Sequence, residues 1–415
     1  MVIGGGAREH AITWKLAQSP RVKEIYVAPG NAGTAGIAQN IAVSPTDTES
    51  LVKIAQEKGI DFAIVGPEAP LAAGIVDEFQ ARGLPIFGPT KAAAEIESSK
   101  VFAKELMQKY NIPCARSASF SSYPEAKEYL MRQKMPIVIK ADGLAAGKGV
   151  TVAGSMEHAL SALSNIMETK AFGSAGDRVL IEECLEGSEM SVFVFTDAHT
   201  VIPMVPACDY KPVFDGNKGP NTGGMGSYSP PHFLTPELAK TAAETIMYPT
   251  IKALNSEGRP YASVLYGGLM VTDGVPRVME FNARLGDPET QVVLPRLKTD
   301  LVDIILGVIN NNLDQVEIEW SNDACVGVVM ASAGYPGSYK RGLPVTGWGN
   351  LDEDIMVFHA GTELDTEGKV VTSGGRVLTM VATGETIAKA REKVYNNISR
   401  LHFGGCHYRK DIALI

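Results

Sequence analysis

Lysines and glycines between two β-branched runs are the first residues whose chemistry can be inferred. Lys140 follows Ile-Val-Ile and Lys148 stands within Gly-Lys-Gly, with Gly143, Gly147 and Gly149 in the same loop. A P-loop would require G-x-x-x-x-G-K-[ST] before a helix, but here the spacing is one residue short and a β-branched run follows. Glycines admit a polyphosphate close to the backbone, and lysines neutralise its charge. We therefore expect a hairpin flap over a polyphosphate; an ordinary hairpin with solvated lysines is the alternative.

A carboxylate and an amide two residues apart give the second signal. Glu280 and Asn282 lie on a predicted strand, so both side chains leave it on one face. Oxygen ligands of this kind suit Mg²⁺, which keeps waters and phosphate oxygens as its other ligands. Arg284 follows the strand end, where its fork could hold a substrate carboxylate or the transferring phosphoryl group. Asp287 before Pro288 has a structural alternative, as the cap of a helix with proline at its first position.

The junction between two further strands could bind a flat heterocycle. Residues 179–195 predict two strands and a short connector, where backbone groups of Glu183 and Leu185 are free for hydrogen bonds. Glu182 or Glu189 could accept hydrogen bonds from ribose hydroxyls or from an exocyclic amine. This strand pair therefore predicts a nucleoside site beside the flap.

The N-terminal glycines predict an anion site at a helix start. Gly6 and Arg8 stand where a first strand turns into an amphipathic helix, so free amides and a guanidinium face outward. A dinucleotide fingerprint would place a glycine where Glu9 stands, and an acid where Gly30 and Asn31 follow the second strand. A small phosphorylated substrate therefore fits better than a nicotinamide cofactor. A tight turn needed only for packing is the alternative.

Strands alternate with helices over roughly the first 90 residues, which indicates a doubly wound parallel sheet. Ligands of such sheets bind outside the carboxyl ends of the strands. Asn31, Pro67 and Glu68 would then face the same crevice as Gly6, and we expect a phosphoribosyl group there, although each loop alone could be a structural turn. The predicted strands are 24–28, 62–65 and 85–87, and the predicted helices are 48–58 and 71–82.

Two regions follow the flap. Residues 208–231 lack regular patterning and predict a long loop, which at this content of glycine, lysine and aspartate is usually functional or disordered. A hairpin turning at Asp273-Gly274 includes the strand of the predicted metal ligands Glu280 and Asn282, which is called the metal strand below. Beyond Trp320 the pattern predicts a small α+β domain, with strands at 324–331, 356–360, 370–371 and 376–382 and a helix at 385–401.

Composition and charge exclude several classes of protein. The chain of 415 residues is 45% apolar and 20% charged, which indicates a globular enzyme of roughly two to four packed units. Its net charge of −9 disfavours nucleic-acid and anionic-membrane partners. Five scattered cysteines without C-x-x-C indicate reduced thiols, and the seven histidines lack metal-ligand spacing. With no long apolar run and no secretion signal, we expect a cytoplasmic protein.

The order of these elements resembles the ATP-grasp fold. The shared features are the glycine-rich lysine hairpin, the helix after it and the strand pair I-E-E-x-L-x-G-x-E. In that fold a nucleotide is clamped between two antiparallel sheets, and a metal-bound carboxylate becomes an acyl phosphate. Further motifs resemble the phosphoribosylamine–glycine ligase family; they are G-R-E-H, P-G-N-A-G-T, V-G-P-E-A-P-L, I-V-I-K-A-D-G-L-A-A-G-K-G-V and P-N-T-G-G-M-G.

This resemblance implies an activity. Glycine and 5-phosphoribosylamine would be joined through glycyl phosphate, giving glycinamide ribonucleotide, ADP and phosphate in the second step of de novo purine synthesis. ATP is then a substrate, Mg²⁺ or Mn²⁺ is the implied metal, and no enzyme nucleophile is needed. A monomer is favoured, with a dimer left open.

It also implies a multidomain fold, part α/β and part α+β. The first unit, residues 1–97, is a Rossmann-like domain with a doubly wound parallel sheet. The second, residues 98–320, is an ATP-grasp fold of two antiparallel α+β subdomains, with a mobile lid at about 115–188. The third, residues 321–415, is a small α+β domain.

Site residues are carried over by position. Lys100 matches a lysine that reaches the nucleotide phosphates in ATP-grasp enzymes. Composition alone would predict a solvated helix residue. The implied catalytic residues are Lys140, Lys148, Arg284 and Asp287, and the metal ligands are Glu280 and Asn282. The implied ATP-binding residues are Lys100, Lys140, Gly143, Gly147, Lys148, Gly149, Glu182, Glu183, Leu185 and Glu189. The implied substrate-binding residues are Gly6, Arg8, Glu9, Gly30, Asn31, Pro67, Glu68, Asp209, Lys211, Gly223, Gly224 and Arg284.

The chain departs from the family pattern at four positions. Ala7 and Leu285 replace a usual glycine and phenylalanine, and Tyr210 and Pro212 replace a usual histidine and arginine. Three rival functions share some of the motifs. Another ATP-grasp ligase or carboxylase would not require P-N-T-G-G-M-G. A nucleotide-dependent oxidoreductase is disfavoured by Glu9. A non-catalytic ATP-sensing module could lack Glu280 or Arg284, and both are present.

Overall fold

The computed structural model describes residues 1–145 and 149–415 of the chain. Gly147 and Lys148, two of the predicted nucleotide-binding residues, lie outside the described residues. None of the helices in the described part combines the length and apolar character that crossing a bilayer would need. The fold is multidomain and contains both parallel and antiparallel sheets.

The N-terminal sheet has five parallel strands in the order β3-β2-β1-β4-β5, which confirms the predicted doubly wound sheet. The predicted helix over 71–82 is wrong as one element, because Gly74 adopts a left-handed φ of 95° and separates two helices. The elements are β1 Val2–Gly4, α1 Ala7–Leu16, β2 Tyr26–Pro29, β3 Gln39–Asn40, α2 Thr48–Glu57, β4 Ala63–Val65, α3 Glu68–Ala73, α4 Ile75–Ala81, β5 Ile86–Phe87 and α5 Lys91–Ser98.

The predicted lid, at about residues 115–188, contains an antiparallel sheet of four strands in the order β6-β9-β7-β8. The predicted hairpin is confirmed, since Lys140 pairs with Val150 across β7 and β8. Its apolar core draws members only from residues 120–181, so the lid packs around a core of its own. The elements are α6 Lys100–Lys109, β6 Ser117–Phe120, α7 Tyr123–Leu130, β7 Ile137–Ala141, β8 Val150–Ala153, α8 Met156–Met167 and β9 Val179–Glu183.

The central sheet is antiparallel, in the order β11-β10-β16-β17. The prediction of a patternless loop over 208–231 is wrong, because four short strands form there. The elements of the central sheet and of the segments around it are β10 Ser188–Asp197, β11 Val201–Pro203, β12 Cys208–Asp209, β13 Pro212–Phe214, β14 Lys218–Asn221, β15 Gly226–Ser229, α9 Pro236–Ala242, α10 Tyr248–Ser256, β16 Ala262–Thr272, β17 Val275–Asn282, α11 Thr290–Val293 and α12 Leu301–Ile309.

The C-terminal sheet combines three strands from residues 324–384 with two strands from residues 208–229, in the order β12-β15-β18-β22-β19. β15 pairs with β18 although almost a hundred residues separate them, so the strands within 208–231 depend on a distant partner. Such pairing leaves no local pattern in the sequence, since its periodicity is set by tertiary contacts. The elements are β18 Ala324–Ala331, β19 Met356–His359, β20 Thr362–Leu364, β21 Val370–Thr372, β22 Arg376–Gly384 and α13 Ile387–Ile398.

Two apolar cores run through both the N-terminal and the central sheets. Met190 and Val192 of β10 share one core with Ile3, whereas Phe193 on the opposite face shares the other with Val2. Alternation along β10 sends successive side chains to opposite faces, so the central sheet is covered on both sides. The N-terminal and central regions are thereby joined by continuous packing, in contrast to the lid.

Candidate active site

Lys140 and Lys104 belong to different elements and share the carboxylate of Glu182. Lys140 on β7 donates a hydrogen bond from Nζ to the Met279 carbonyl oxygen at 3.0 Å and lies 2.9 Å from a Glu182 carboxylate oxygen. Lys104 on α6 lies 3.3 Å from the other Glu182 oxygen, and all three side chains are buried. Glu182 is therefore tied up by two lysines, and its role towards a ribose or an exocyclic amine stays a prediction.

Lys100 begins α6 and contacts the glycine loop directly. Its Nζ donates a hydrogen bond to the Gly143 carbonyl oxygen at 2.9 Å. The start of α6 is fixed by Asp142, whose carboxylate accepts hydrogen bonds from the Val101 amide and the Ser99 hydroxyl, both at 3.1 Å. Burial lowers the pKa of Lys100, while Glu280 opposes that shift. A cation is thus held beside the loop predicted to cover a polyphosphate.

The remaining predicted nucleotide residues lie before β8, at the end of β9, in the connector that follows it and near the start of β10. Gly149 accepts a hydrogen bond from the Ala141 amide at 2.8 Å and closes the described end of the hairpin. Glu183 accepts hydrogen bonds from the amide and the guanidinium of Arg116, both at 2.9 Å. Leu185 lies in the connector between β9 and β10, and Glu189 is exposed near the start of β10. The predicted pair of strands with its connector is therefore present, but Glu183 already has an arginine partner, and nucleoside binding there stays a prediction.

Glu280 and Asn282 lie on β17 opposite Gly268 and Tyr266 of β16. Glu280 is half-buried, and burial opposes the ionisation of its carboxylate, yet Lys211, Lys140, Lys100 and Arg284 together hold its pKa below the usual range. Among the described residues, no side chain or amide donates a hydrogen bond to this carboxylate. A half-buried carboxylate that is ionised and lacks a hydrogen-bond donor, two residues from an amide oxygen on the same strand, fits a divalent cation.

The same geometry limits which protein ligands a metal would have. Within the described parts of the chain, no group of three or more histidine, cysteine, aspartate or glutamate side chains is arranged to hold a metal ion. Glu280 and Asn282 would therefore need water and phosphate oxygens to complete the shell. This is the usual arrangement for Mg²⁺, which dehydrates reluctantly and binds through few protein ligands.

Lys211 lies between two carboxylates. Its Nζ lies 3.0 Å from Glu189 and 3.1 Å from Asp209. Burial raises the pKa of Asp209, and Glu289 and Glu189 add to this effect while Lys211 opposes it. Lys211 also lowers the pKa of Glu280 on β17, and the predicted contacts of Asp209 and Lys211 with substrate stay a prediction.

Arg284 bridges two carboxylates from the N-terminal half of the chain. Its Nε donates to Glu68 at 3.0 Å, and an NH2 nitrogen lies 2.9 Å from Glu97. Burial opposes the ionisation of Glu68, but Arg284 and Arg8 hold its pKa below the usual value. Pro67 precedes this residue as the cap of α3. Glu68 is therefore paired with Arg284, and its predicted contact with substrate stays a prediction. Glu97 was not anticipated, because it looks like any charged residue near a helix end.

The start of α1 is not a free anion site in this structure. The Gly6 amide donates to a Glu9 carboxylate oxygen at 2.5 Å, so the prediction of an unoccupied amide there is wrong. Glu9 stands at the third helical position, where a carboxylate reaches back to the helix start. Arg8 donates from Nε to Glu9 at 2.6 Å and from NH1 to the Leu285 carbonyl oxygen at 3.3 Å. Arg8 therefore links the N-terminal loop to the segment that follows the metal strand.

Asn31 has a structural role in the same crevice. Its amide nitrogen donates to the carbonyl oxygens of Gly5 at 3.0 Å and His359 at 2.8 Å, and its oxygen accepts from the Thr34 amide at 3.0 Å. Gly30 before it has φ of 74°, and a Cβ there would lie 2.3 Å from an Asn40 oxygen. Asn31 thus ties the N-terminal loops to the C-terminal domain, and its predicted contact with substrate stays a prediction.

Gly223, Gly224 and Asp287 meet at a residue that the sequence did not single out. Arg376, the first residue of β22, donates from NH1 to the Gly223 carbonyl oxygen at 2.6 Å and lies 3.2 Å from the Asp287 carboxylate. Asp287 is not a helix cap, so that alternative is wrong: α11 begins at Thr290. Its carboxylate instead accepts from Gln291 at 2.7 Å. Nothing in the local pattern of β22 marks Arg376.

Two antiparallel sheets, lysines from two elements and a carboxylate on β17 of the central sheet define an ATP-grasp protein. The solved structures support this class at the level of the fold. A biotin carboxylase from Campylobacter jejuni superposes with a TM-score of 0.76 at 15% identity, covering 100% of this chain and 93% of that one.

The chain belongs to the phosphoribosylglycinamide synthetase family. Models of the N domain, the ATP-grasp (A) domain and the C domain match residues 1–97, 98–290 and 325–414. The phosphoribosylamine–glycine ligase of Halalkalibacterium halodurans is 51% identical, covering 100% of this chain and 96% of the relative, and that of Escherichia coli O6:H1 is 49% identical over 100% and 97%. The crystal structure of the Thermotoga maritima ligase has a TM-score of 0.86 at 35% identity, covering 99% of both chains.

Proposed function

We propose that this chain is an ATP-dependent ligase that joins glycine to 5-phosphoribosylamine to form glycinamide ribonucleotide, ADP and phosphate. The observation that carries the proposal is the half-buried carboxylate of Glu280 on β17. Lys140 reaches the main chain beside it, at the Met279 carbonyl oxygen, and Lys211, Lys140, Lys100 and Arg284 hold the pKa of the carboxylate below the usual range. Cations from three elements around a free carboxylate suit a nucleotide phosphate bound with a divalent metal. The family models and full-length relatives supply the substrate class.

The reaction needs activation of a poor electrophile. A glycine carboxylate oxygen attacks the γ-phosphorus of ATP, and ADP leaves with the electron pair of the broken P–O bond. The amine nitrogen of 5-phosphoribosylamine then attacks the carbonyl carbon of glycyl phosphate, loses a proton and displaces phosphate. Catalysis is therefore mainly positioning and charge neutralisation, for which Lys100, Lys140 and Arg284 are placed.

The cysteines of this chain are not activated as covalent nucleophiles. Burial raises the pKa of Cys208 and of Cys406, in each case to about 12, so these thiols stay protonated near neutral pH. Burial also raises the pKa of Cys114, Cys184 and Cys325. Transfer through an acyl phosphate requires no enzyme nucleophile, which agrees with this environment.

Glu280 and Asn282 would hold Mg²⁺ or Mn²⁺ with the nucleotide, and the metal when bound would neutralise charge on the phosphates. Lys148, Gly147 and Gly149 would cover the nucleotide, with the lid of residues 115–188 excluding water from the acyl phosphate. The phosphoribosyl group would lie near Gly6, Arg8, Pro67 and Glu68. Because Glu9 occupies the Gly6 amide in this structure, a substrate phosphate would have to displace it or bind through Arg8.

The proposal includes an arrangement in three units, residues 1–97, 98–320 and 321–415. Shared cores support close packing of the first two, and the separate core of the lid supports its movement as a body. A monomer in the cytoplasm completes the proposal, with ATP, glycine and 5-phosphoribosylamine as the small-molecule partners.

Phosphate release tests the function directly. With ATP and Mg²⁺ supplied, we expect rapid release only when glycine and 5-phosphoribosylamine are present together. Hydroxylamine should trap glycyl phosphate as glycine hydroxamate when the amine is omitted. Absence of ATP consumption with both substrates would overturn the proposal. Turnover with aminoimidazole ribonucleotide and bicarbonate instead would assign the chain to another ATP-grasp reaction.

A further inference from the structure

The guanidinium of Arg376 joins two segments of the candidate active site that lie far apart in the sequence. NH1 donates to the carbonyl oxygens of Gly223 at 2.6 Å and Asp287 at 3.0 Å, and an NH2 nitrogen lies 3.2 Å from the Asp287 carboxylate. The planar fork matches this divided set of acceptors, which a lysine ammonium could not span in the same way. A C-terminal residue thus fixes both the P-N-T-G-G-M-G loop and the segment after the metal strand.

The packing around this contact leaves little freedom. A Cβ on Gly223 would lie 3.0 Å from Cζ of Arg376, so the guanidinium packs directly against the loop backbone. The Gly223 amide donates to the Tyr335 hydroxyl at 3.0 Å, so the C-terminal domain contacts this residue from a second side. Gly224 has φ of 110°, and a Cβ there would lie 2.3 Å from Cδ of Pro288. The loop and the 285–288 segment are therefore pressed together where Arg376 bonds to both.

The negative charge of Asp287 connects the Arg376 contact to Arg284. Burial opposes the ionisation of Asp287, but Arg376 first, and then Arg8 and Arg284, hold its pKa below the usual range. Arg8 reaches the Leu285 carbonyl oxygen from the N-terminal loop. The short segment that begins at Arg284 is thus held by arginines of the N-terminal and C-terminal regions.

We propose that Arg376 is a positioning residue for the binding of glycine and the phosphoribosyl amine. It acts by holding the P-N-T-G-G-M-G loop against the segment that carries Arg284, and it does not contact the nucleotide. The C-terminal domain is then part of the catalytic apparatus. This inference rests on the proposed ligase function.

Substitution of Arg376 tests the inference through a difference between substrates. For Arg376→Met we expect kcat/KM for glycine and for 5-phosphoribosylamine to fall about 100-fold, because small misplacement of reacting groups is this costly. KM for ATP should stay unchanged. Arg376→Lys keeps the charge but lacks the fork, so it should remain impaired. Full activity of the lysine variant, or an equal loss towards ATP, would overturn the inference.

Arg400→Met is the matched control. Arg400 is also in the C-terminal domain and pairs with an aspartate and a main-chain carbonyl oxygen, donating to Asp352 at 2.7 Å and to Asn350 at 3.0 Å. It lies outside the candidate site, so we expect normal kinetics. Reduced turnover in this control would indicate a general effect of the domain and count against a specific role for Arg376.

Two further measurements do not depend on turnover. Calorimetry should show that Arg376→Met binds ADP normally but binds glycinamide ribonucleotide more weakly than the unaltered protein. Amide hydrogen exchange should become faster in peptides covering residues 218–229 and 285–293. Unchanged exchange in both peptides would overturn the inference even if the ligase activity is confirmed. If the unaltered protein fails to make glycinamide ribonucleotide, the proposed function fails, and the exchange result still decides whether Arg376 orders the loop.

Discussion

Lys140 Nζ lies 2.9 Å from a Glu182 carboxylate oxygen, and both side chains are almost completely buried. Lys104 shares the same carboxylate at 3.3 Å, so one anion is placed between two cations in the lid–helix junction. Glu182 Oε1 has no hydrogen-bond partner of good geometry among the described atoms. The cluster therefore carries an excess of positive charge, which suits a site for nucleotide phosphates.

Substitution of the carboxylate and substitution of a lysine in this cluster should lower the free energy of unfolding by different amounts. Glu182→Gln removes the carboxylate that the two buried lysines share, and we expect a loss of about 3–5 kcal/mol in the free energy of unfolding. Lys104→Met leaves the Glu182–Lys140 pair intact and should cost clearly less. Urea unfolding measures both, with the surface variant Glu128→Gln as the control. Equal costs for the two buried substitutions would contradict this account.

Glu280→Gln tests the metal assignment. The substitution keeps the shape of the side chain but removes the charge that would hold a divalent ion, so we expect kcat to fall at least about 1000-fold. Because this carboxylate has no hydrogen-bond donor among the described residues, the fold should be kept, and circular dichroism should be unchanged. Glu363→Gln on the exposed surface of β20 is the control. Substantial Mg²⁺-dependent activity in Glu280→Gln would remove the residue from the metal site.

Gly224→Ala tests the close approach of the loop to Pro288. Both the positive φ and the missing space oppose a side chain, and we expect a loss of stability of about 1–3 kcal/mol together with reduced activity. Gly274→Ala separates the two causes, because Gly274 also has a positive φ of 79° but has open space around its Cβ. That control should lose some stability and keep its kinetics. Normal activity in Gly224→Ala would show that the loop can move away without consequence.

Acid should weaken the contact between the N-terminal and C-terminal regions. His10 Nδ1 accepts a hydrogen bond from the His359 amide at 2.8 Å, and the His359 ring stacks on Trp348 at 4.9 Å. Burial lowers the pKa of His10 to about 3, with His359 adding to the shift, and burial lowers the pKa of His359 to about 4. Both rings are therefore neutral when folded, whereas the unfolded chain takes up protons near pH 6.5.

The sign of the effect follows from this difference. The unfolded state binds more protons between pH 6.5 and the folded pKa values, so stability is fully present above pH 6.5 and falls as the pH is lowered. We expect each histidine to account for about 2 kcal/mol of lost stability between pH 7 and pH 5. His10→Gln should flatten the pH dependence of unfolding, and the exposed His158→Gln should leave it unchanged. An unaltered slope in His10→Gln would contradict the prediction.

Much of the fold was predictable because its signals are local. The N-terminal β/α alternation, the hairpin that carries Lys140 and the strand at 324–331 all follow from residue patterns shorter than a dozen positions. The fold class and the family are confirmed. Errors arose where a distant partner decided the outcome. β12 and β15 exist because β18 pairs with β15. The Gly6 amide is a different case, because its partner Glu9 is only three residues away and turns back onto the helix start.

The amino-acid sequence by itself determined which groups are available for chemistry. It placed Glu280 and Asn282 on one face of a strand, two lysines around a glycine loop, and the motifs that mark the family. Only the tertiary structure decided which of these groups meet, and it brought Arg376 to Asp287 and Lys104 to Glu182. The reason is physical: strand alternation and helix periodicity act over a few residues, whereas contacts between distant segments depend on how whole sheets and cores pack.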